Sequence, residues 1–173
     1  MAMVVSSIAN RGALMKPRLV DRLVSYDKQE VEVLPPVMVR QACSAATARK
    51  ISDSLEAAVV EGTGKQAAIE GVRVAGKTGT AQRYDPEAKG KDKYPDGHFV
   101  VSFAGFAPVD NPRIACVIVL DDPKSDDKGQ LYGGKLAAPV FAKVVGRAFD
   151  LMAIAPARPP AVTLNQDSAT GGA

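Results

Sequence analysis

The chain has 173 residues, of which 46% are hydrophobic and 24% charged, with a net charge of only +3. This is enough chain for one packed domain, and basic residues scattered among acidic ones give no nucleic-acid footprint. No apolar run approaches the roughly 18 residues of a membrane span, and no signal peptide leads the sequence.

Ala2 to Asn10 predicts a short apolar helix, with Asn10-Arg11-Gly12 as its stop. This helix starts without a cap or leader, so an upstream part is expected to be missing. ALMKP (Ala13 to Pro17), RLVDRLVSY (Arg18 to Tyr26) and EVEVL (Glu30 to Leu34) predict short strands ending at Pro35-Pro36. Ser44 to Val60 is the clearest helix. Ser44 or Thr47 caps it, and Ile51, Leu55, Ala58 and Val59 fall on one apolar stripe. Gly62 and Gly64 end it.

Val72 to Thr80 predicts a strand, and Tyr84 to Gly97 a mobile loop or hairpin tip. HFVVSFAGFAP and RIACVIVLD predict two more strands around the turn Val109-Asp110-Asn111-Pro112. KSDDKGQ reads as a polar loop. Leu136 to Phe149 predicts a helix with Val140, Val144 and Ala148 on one face and Phe141 and Phe149 beside it. After the first 150 residues, 151–173 turn to Pro, Ala, Thr, Ser and Gly, as in a disordered tail. Cys43 and Cys116 lack metal-ligand spacing and read as buried free thiols; no cofactor is implied.

Gly71 to Thr78 matches the phosphate-loop pattern G-x-x-x-x-G-K-[ST], and CVIVLD (Cys116 to Asp121) could pass for a Mg²⁺-holding strand. The context excludes nucleotide binding. A phosphate loop follows a strand and opens a helix at its Lys-Thr. Here β-favouring Val72-Arg73-Val74-Ala75 precedes, and Gly79, Asp85 and Pro86 follow.

Lys-Thr-Gly-Thr on an edge strand suits different chemistry. Gly79 allows close approach of a ligand backbone, an extended peptide can pair with the free edge, and Lys77, Thr78 and Thr80 together suit a carboxylate. The Thr80 N–H could aim at an oxyanion. Strict alternation, however, puts Lys77 on the face opposite Thr78 and Thr80, unless twist at Gly76 and Gly79 gathers them. An ordinary charged strand end is the competing reading.

Four landmarks carry a resemblance: SIANRGALMKP (Ser7 to Pro17), VVEGTGKQAAIEGVRVAGKTGTAQ (Val59 to Gln82), FVVSFAGFAPVDNPRIACVIVLDDP (Phe99 to Pro123) and YGGKLAAPVFAKV (Tyr132 to Val144). With them the chain resembles the C-terminal part of the transpeptidase domain of class B penicillin-binding proteins, of the cell-division, septum-forming type. The resemblance implies a serine D,D-transpeptidase that cross-links peptidoglycan stem peptides and is acylated by β-lactams. It implies an α/β fold: an antiparallel sheet from strands 72–82, 98–107 and 113–121, flanked by helices, with helix 135–150 packed on it. This is a partial penicillin-binding-protein or serine β-lactamase-like transpeptidase fold. It assigns Lys77 and Thr80 a catalytic role and Lys77, Thr78, Gly79 and Thr80 substrate binding. The implied partners are the stem peptide, β-lactams, the upstream part of the domain and other cell-division proteins. The implied location is the inner membrane, with the domain facing the periplasm.

The family's nucleophile is the serine of S-x-x-K opening a helix, with a second S-x-N motif. No S-x-N string occurs, and the strings Ser25-Tyr26-Asp27-Lys28 and Ser125-Asp126-Asp127-Lys128 fall at a strand end and in a polar loop. His98 reads as a strand start rather than a general base. The chain is therefore expected to carry one wall of the active site without its nucleophile; a non-catalytic peptide- or partner-binding module is the alternative. Lacking the rest of the domain, Val101, Val117 and Val119 are expected to be short of cover.

Overall fold

The computed structural model describes residues 1–87, 93–124 and 131–154. Much of KSDDKGQ, Ser125 and nearly all of the tail expected over 151–173 lie outside the described residues. Helix α1 (Ala2–Ala9) is followed by four short strands, β1 (Ala13–Met15), β2 (Arg22–Val24), β3 (Glu30–Val33) and β4 (Met38–Gln41). β1 pairs antiparallel with β4, and β2 with β3. The strand β4 lies just beyond Pro35-Pro36, the expected terminator: pairing with β1 resumes where the Val37 carbonyl accepts the Lys16 N–H at 2.8 Å.

Helix α2 (Ala45–Val60) begins where the sequence places it, with the Ser44 side chain accepting from the Thr47 N–H at 3.0 Å. Its Gly62-Thr63-Gly64 exit leads into a single 3₁₀ turn at Lys65–Ala67. The central sheet is β5 (Ala75–Gln82), β6 (Phe99–Ala107) and β7 (Ile114–Asp121), antiparallel in that order. The register runs unbroken from Ala75↔Phe106 to Gln82↔Phe99. The strand expected from Val72 starts three residues later, because Gly71 at φ 70° and the Val72 N–H to Ile69 carbonyl bond make a turn first. Arg73 is pulled outward onto Glu56 and Asp110. Its guanidinium is held above the usual arginine range, chiefly by the Glu56 hydrogen bond.

Alternation along β6 gives the sheet two covered faces. Phe103 and Ala107 join Ala137, Ala138, Phe141, Val145 and Phe149 of α3 (Gly133–Leu151) in the larger cluster. Phe106 turns the other way, with Ala75 and Val5, against Ile8 of α1 and Leu55 of α2. The helix α3 therefore buries 137, 138, 141, 145 and 149. Of the expected face, Val140 and Val144 are exposed, Val144 by 47%, and Ala148 is half-buried. Several positions around this helix are apolar, and only the sheet decides which of them meet it.

Val101 is also fully buried, contrary to expectation, whereas Val119 on the outer strand β7 is 57% exposed. Cys43 and Cys116 are free thiols but half-buried rather than buried, and partial burial pushes the Cys116 thiol up.

Candidate functional site

Gly76-Lys77-Thr78 lies inside β5, paired with β6 throughout, and opens no helix. Each glycine of the phosphate-loop pattern has another use. Gly71 makes the turn before the strand. A Cβ on Gly76 would stand 2.4 Å from Cζ of Phe103, so Gly76 is the floor on which that buried ring lies.

β5 is an outer strand of its sheet, and one long side of it faces no other strand among the described residues. With no bulge in the register, alternation holds, and Lys77 leaves from the face opposite Thr78 and Thr80. The twist imagined at Gly76 and Gly79 does not gather the three. The strand's edge does so for Lys77: its flexible stem folds round to donate to the Thr78 carbonyl at 3.0 Å and to Thr78 Oγ1 at 3.2 Å. An ammonium has three N–H donors, so one stays available to a ligand. Thr78 Oγ1 also meets Thr63 Oγ1 at 2.9 Å.

Thr80 goes elsewhere. Its Oγ1 accepts the Gly133 N–H at 3.2 Å, at the start of α3. The helix can come this near only because Gly133 and Gly134 lack side chains. A Cβ on Gly133 would be 2.4 Å from the Ser102 carbonyl oxygen and 2.5 Å from that of Gly79; one on Gly134 would be 2.3 Å from the Thr63 carbonyl oxygen. These are backbone atoms that cannot rotate away. Gly133→Ala is therefore expected to lower stability by about 1–3 kcal/mol, as overpacking does, in a denaturant titration. An unchanged midpoint would show that α3 does not rest on β5 in this way.

The site that results is a strip of donors: the Lys77 ammonium, the Thr78 and Thr80 hydroxyls, the positive end of α3, and backbone at Gly79 that carries no side chain. Lys77 and Thr80 are exposed and Thr78 half-buried. Among the described residues no carboxylate hydrogen-bonds Lys77, Thr78 or Thr80, so the strip suits an anion. Beside Lys77 an open groove of about 430 Å³ runs along α2, lined by Thr47, Lys50, Ile51, Ser54, Leu55 and Ala58. A larger cleft of about 710 Å³ opens between α1, the start of α2 and the β6–β7 turn, and contains none of these donors.

The remaining candidates stand apart. Ser25 sits in the β2–β3 turn, bonded to Asp27 and Gln29, and Lys28 is in the left-handed region at φ 64°. It opens no helix. His98 immediately precedes β6 and bonds Asp122 through Nδ1 at 3.0 Å, with no serine attached. Lys124 first, and then His98, holds the Asp122 carboxyl below its usual range. Among the described residues no His, Cys, Asp or Glu cluster could hold a metal.

Thr63 and Gly133 are the site residues that the sequence reading did not assign. Both stand in quoted landmarks, but Gly62 and Gly64 carry only a helix stop there and Thr63 no role of its own. A second threonine flanked by glycines ahead of Lys-Thr-Gly was the available signal.

The family model described as the penicillin binding protein transpeptidase domain matches residues 1–146. Stage V sporulation protein D of Bacillus subtilis is 37% identical over 143 residues, covering 82% of this chain and 21% of that protein. The peptidoglycan D,D-transpeptidase FtsI of Escherichia coli is 35% identical over 150 residues, covering 82% of this chain and 24% of its own length. The chain thus spans about a quarter or less of these relatives. Among solved structures, penicillin-binding protein 3 of Mycobacterium tuberculosis in complex with ampicillin superposes with a TM-score of 0.75 at 30% identity, over 92% of this chain and 36% of that one.

Proposed function

This chain belongs to the penicillin-binding protein transpeptidase family, and from that membership we propose that it is the C-terminal segment of a D,D-transpeptidase. The complete enzyme cross-links peptidoglycan stem peptides at the division septum and is acylated by β-lactams. The observation that carries this reading is the outer edge of β5, where the Lys77 ammonium and Thr78 hydroxyl converge with no carboxylate partner among the described residues.

An extended stem peptide aligns along that edge, with Gly79 leaving room for its backbone. Its terminal carboxylate takes the Thr78 and Thr80 hydroxyls, and the spare N–H of Lys77 adds charge. The Thr80 N–H is one of the oxyanion donors. In this reading another part of the complete enzyme supplies the nucleophilic serine; among the described residues no serine opens a helix with a lysine one turn on. The half-buried apolar side chains Ile51, Leu55 and Ala58 beside Lys77 offer the surface against which the serine-bearing part would pack. Domain and tail divide near residue 150 in this reading. Among the described residues no helix is long and apolar enough to cross a membrane; the proposed anchor of the periplasm-facing enzyme lies elsewhere. Other division proteins are its expected partners, and it needs no cofactor.

The test is turnover by the complete enzyme. It should release the terminal D-alanine from a stem-peptide analogue and lose that activity on pretreatment with ampicillin. Persistent activity with ampicillin bound, or no activity beside retained ampicillin labelling, would favour the peptide- or partner-binding module instead.

A further inference from the structure

We infer that Thr63 is a positioning residue that aims the hydroxyl proton of Thr78 at the substrate carboxylate. The inference rests on the proposed role of Thr78 and adds to it a residue on a different element, 15 positions earlier in the chain.

The argument is a count of donors and acceptors. A threonine hydroxyl has one proton and two lone pairs, and an ammonium only donates. Thr78 Oγ1 accepts from Lys77 Nζ at 3.2 Å, which occupies one lone pair. Thr63 Oγ1, at 2.9 Å, can stand as donor or acceptor. With Thr63 donating, both lone pairs of Thr78 are filled. Its own proton then points out of the cluster, where the strand edge leaves it to a ligand. With Thr63 accepting, that proton is spent inside the cluster. An arriving carboxylate, which can only accept, selects the first arrangement. Both hydroxyls turn over together, and no atom need move far.

Thr63 is well held for this. The Gly64 N–H bonds the Ala58 carbonyl at 2.9 Å, which fixes the turn to the end of α2. On its other side the Thr63 carbonyl oxygen lies where a side chain on Gly134 would be, against the first turn of α3. Its side chain is nevertheless exposed at the site, so a ligand reaches the pair from solvent. A threonine needed only for packing would not have to present its hydroxyl to another hydroxyl at the strand edge.

The experiment uses the complete transpeptidase and two stem-peptide analogues, one ending in the free carboxylate and one in the corresponding amide. Thr63→Val keeps the shape and removes the hydroxyl. It should lower kcat/KM for the carboxylate analogue roughly three- to tenfold, the scale of one neutral hydrogen bond, mainly through KM. The amide analogue should change by less than about twofold. Thr63→Ser should restore the preference for the carboxylate. If a thermal melt shows Thr63→Val unfolded, Thr63→Ala is read against Thr63→Ser in the same way. Equal loss on both analogues, no loss on either, or failure of Thr63→Ser to rescue would each overturn the role. A wild-type enzyme indifferent between carboxylate and amide would instead overturn the carboxylate reading of Thr78 itself.

Discussion

Lys77→Ala in the complete transpeptidase should slow acylation by a chromogenic β-lactam about 10²–10³-fold, the usual cost of removing one electrostatic contributor aimed at a developing charge. The reason is local. Among the described residues Lys77 makes no ion pair, and its hydrogen bonds go to the Thr78 carbonyl and hydroxyl, which leave its positive charge available at the strand edge. The substitution also leaves Thr78 Oγ1 without one of its donors. Stability should hardly move, by roughly 0.5 kcal/mol or less, because the side chain is exposed. The second-order acylation rate and a thermal melt of the same variant check both halves. A rate within a few-fold of wild type, or a loss explained wholly by unfolding, would return Lys-Thr-Gly-Thr to a charged strand end.

Phe103→Ala should do the reverse and cost about 3–5 kcal/mol of stability, as large aromatic truncations in cores do. Phe103 is fully buried, its ring centroid is 4.7 Å from that of Phe141, and it covers Gly76 and Gly105, which have no side chain to fill the space left behind. The cavity therefore opens directly beneath the strand that carries Lys77 and Thr78. Against a typical total of about 5–15 kcal/mol, such a loss endangers the fold. Denaturant titration with a common slope measures it. A change under about 1 kcal/mol would mean that the sheet and α3 collapse onto the gap and do not depend on the ring.

How far the sequence revealed this depended on the range of the forces involved. The start of α2 was legible because Ser44 caps it through a bond spanning three residues. β6 and β7 were legible as long apolar runs. The double proline hid β4, since the signal that ends one strand says nothing about pairing that resumes with β1 some 25 residues earlier. Along α3 the apolar spacing named Val140, Val144 and Ala148 with Phe141 and Phe149 beside them, but not Val145, which joins Phe141 and Phe149 in the same buried cluster as Phe103 of a distant strand. For the site, the motif located the strand and its alternation gave the correct faces. The edge that lets Lys77 rejoin Thr78, the close approach of Gly133, and the Thr63–Thr78 pair all follow from how α2, β5 and α3 meet. No local pattern encodes that meeting.

The central claim is that these residues form the anion-binding wall of an acylation site whose nucleophile lies on other polypeptide. Mapping the adduct tests it most directly. The complete enzyme and this 173-residue chain are each treated with penicillin, weighed intact and digested. The account predicts one penicilloyl group on the complete enzyme, carried by a serine outside these residues, and none on the chain alone. An adduct on Ser25 or on any other residue of this chain, or none on either protein, would contradict it.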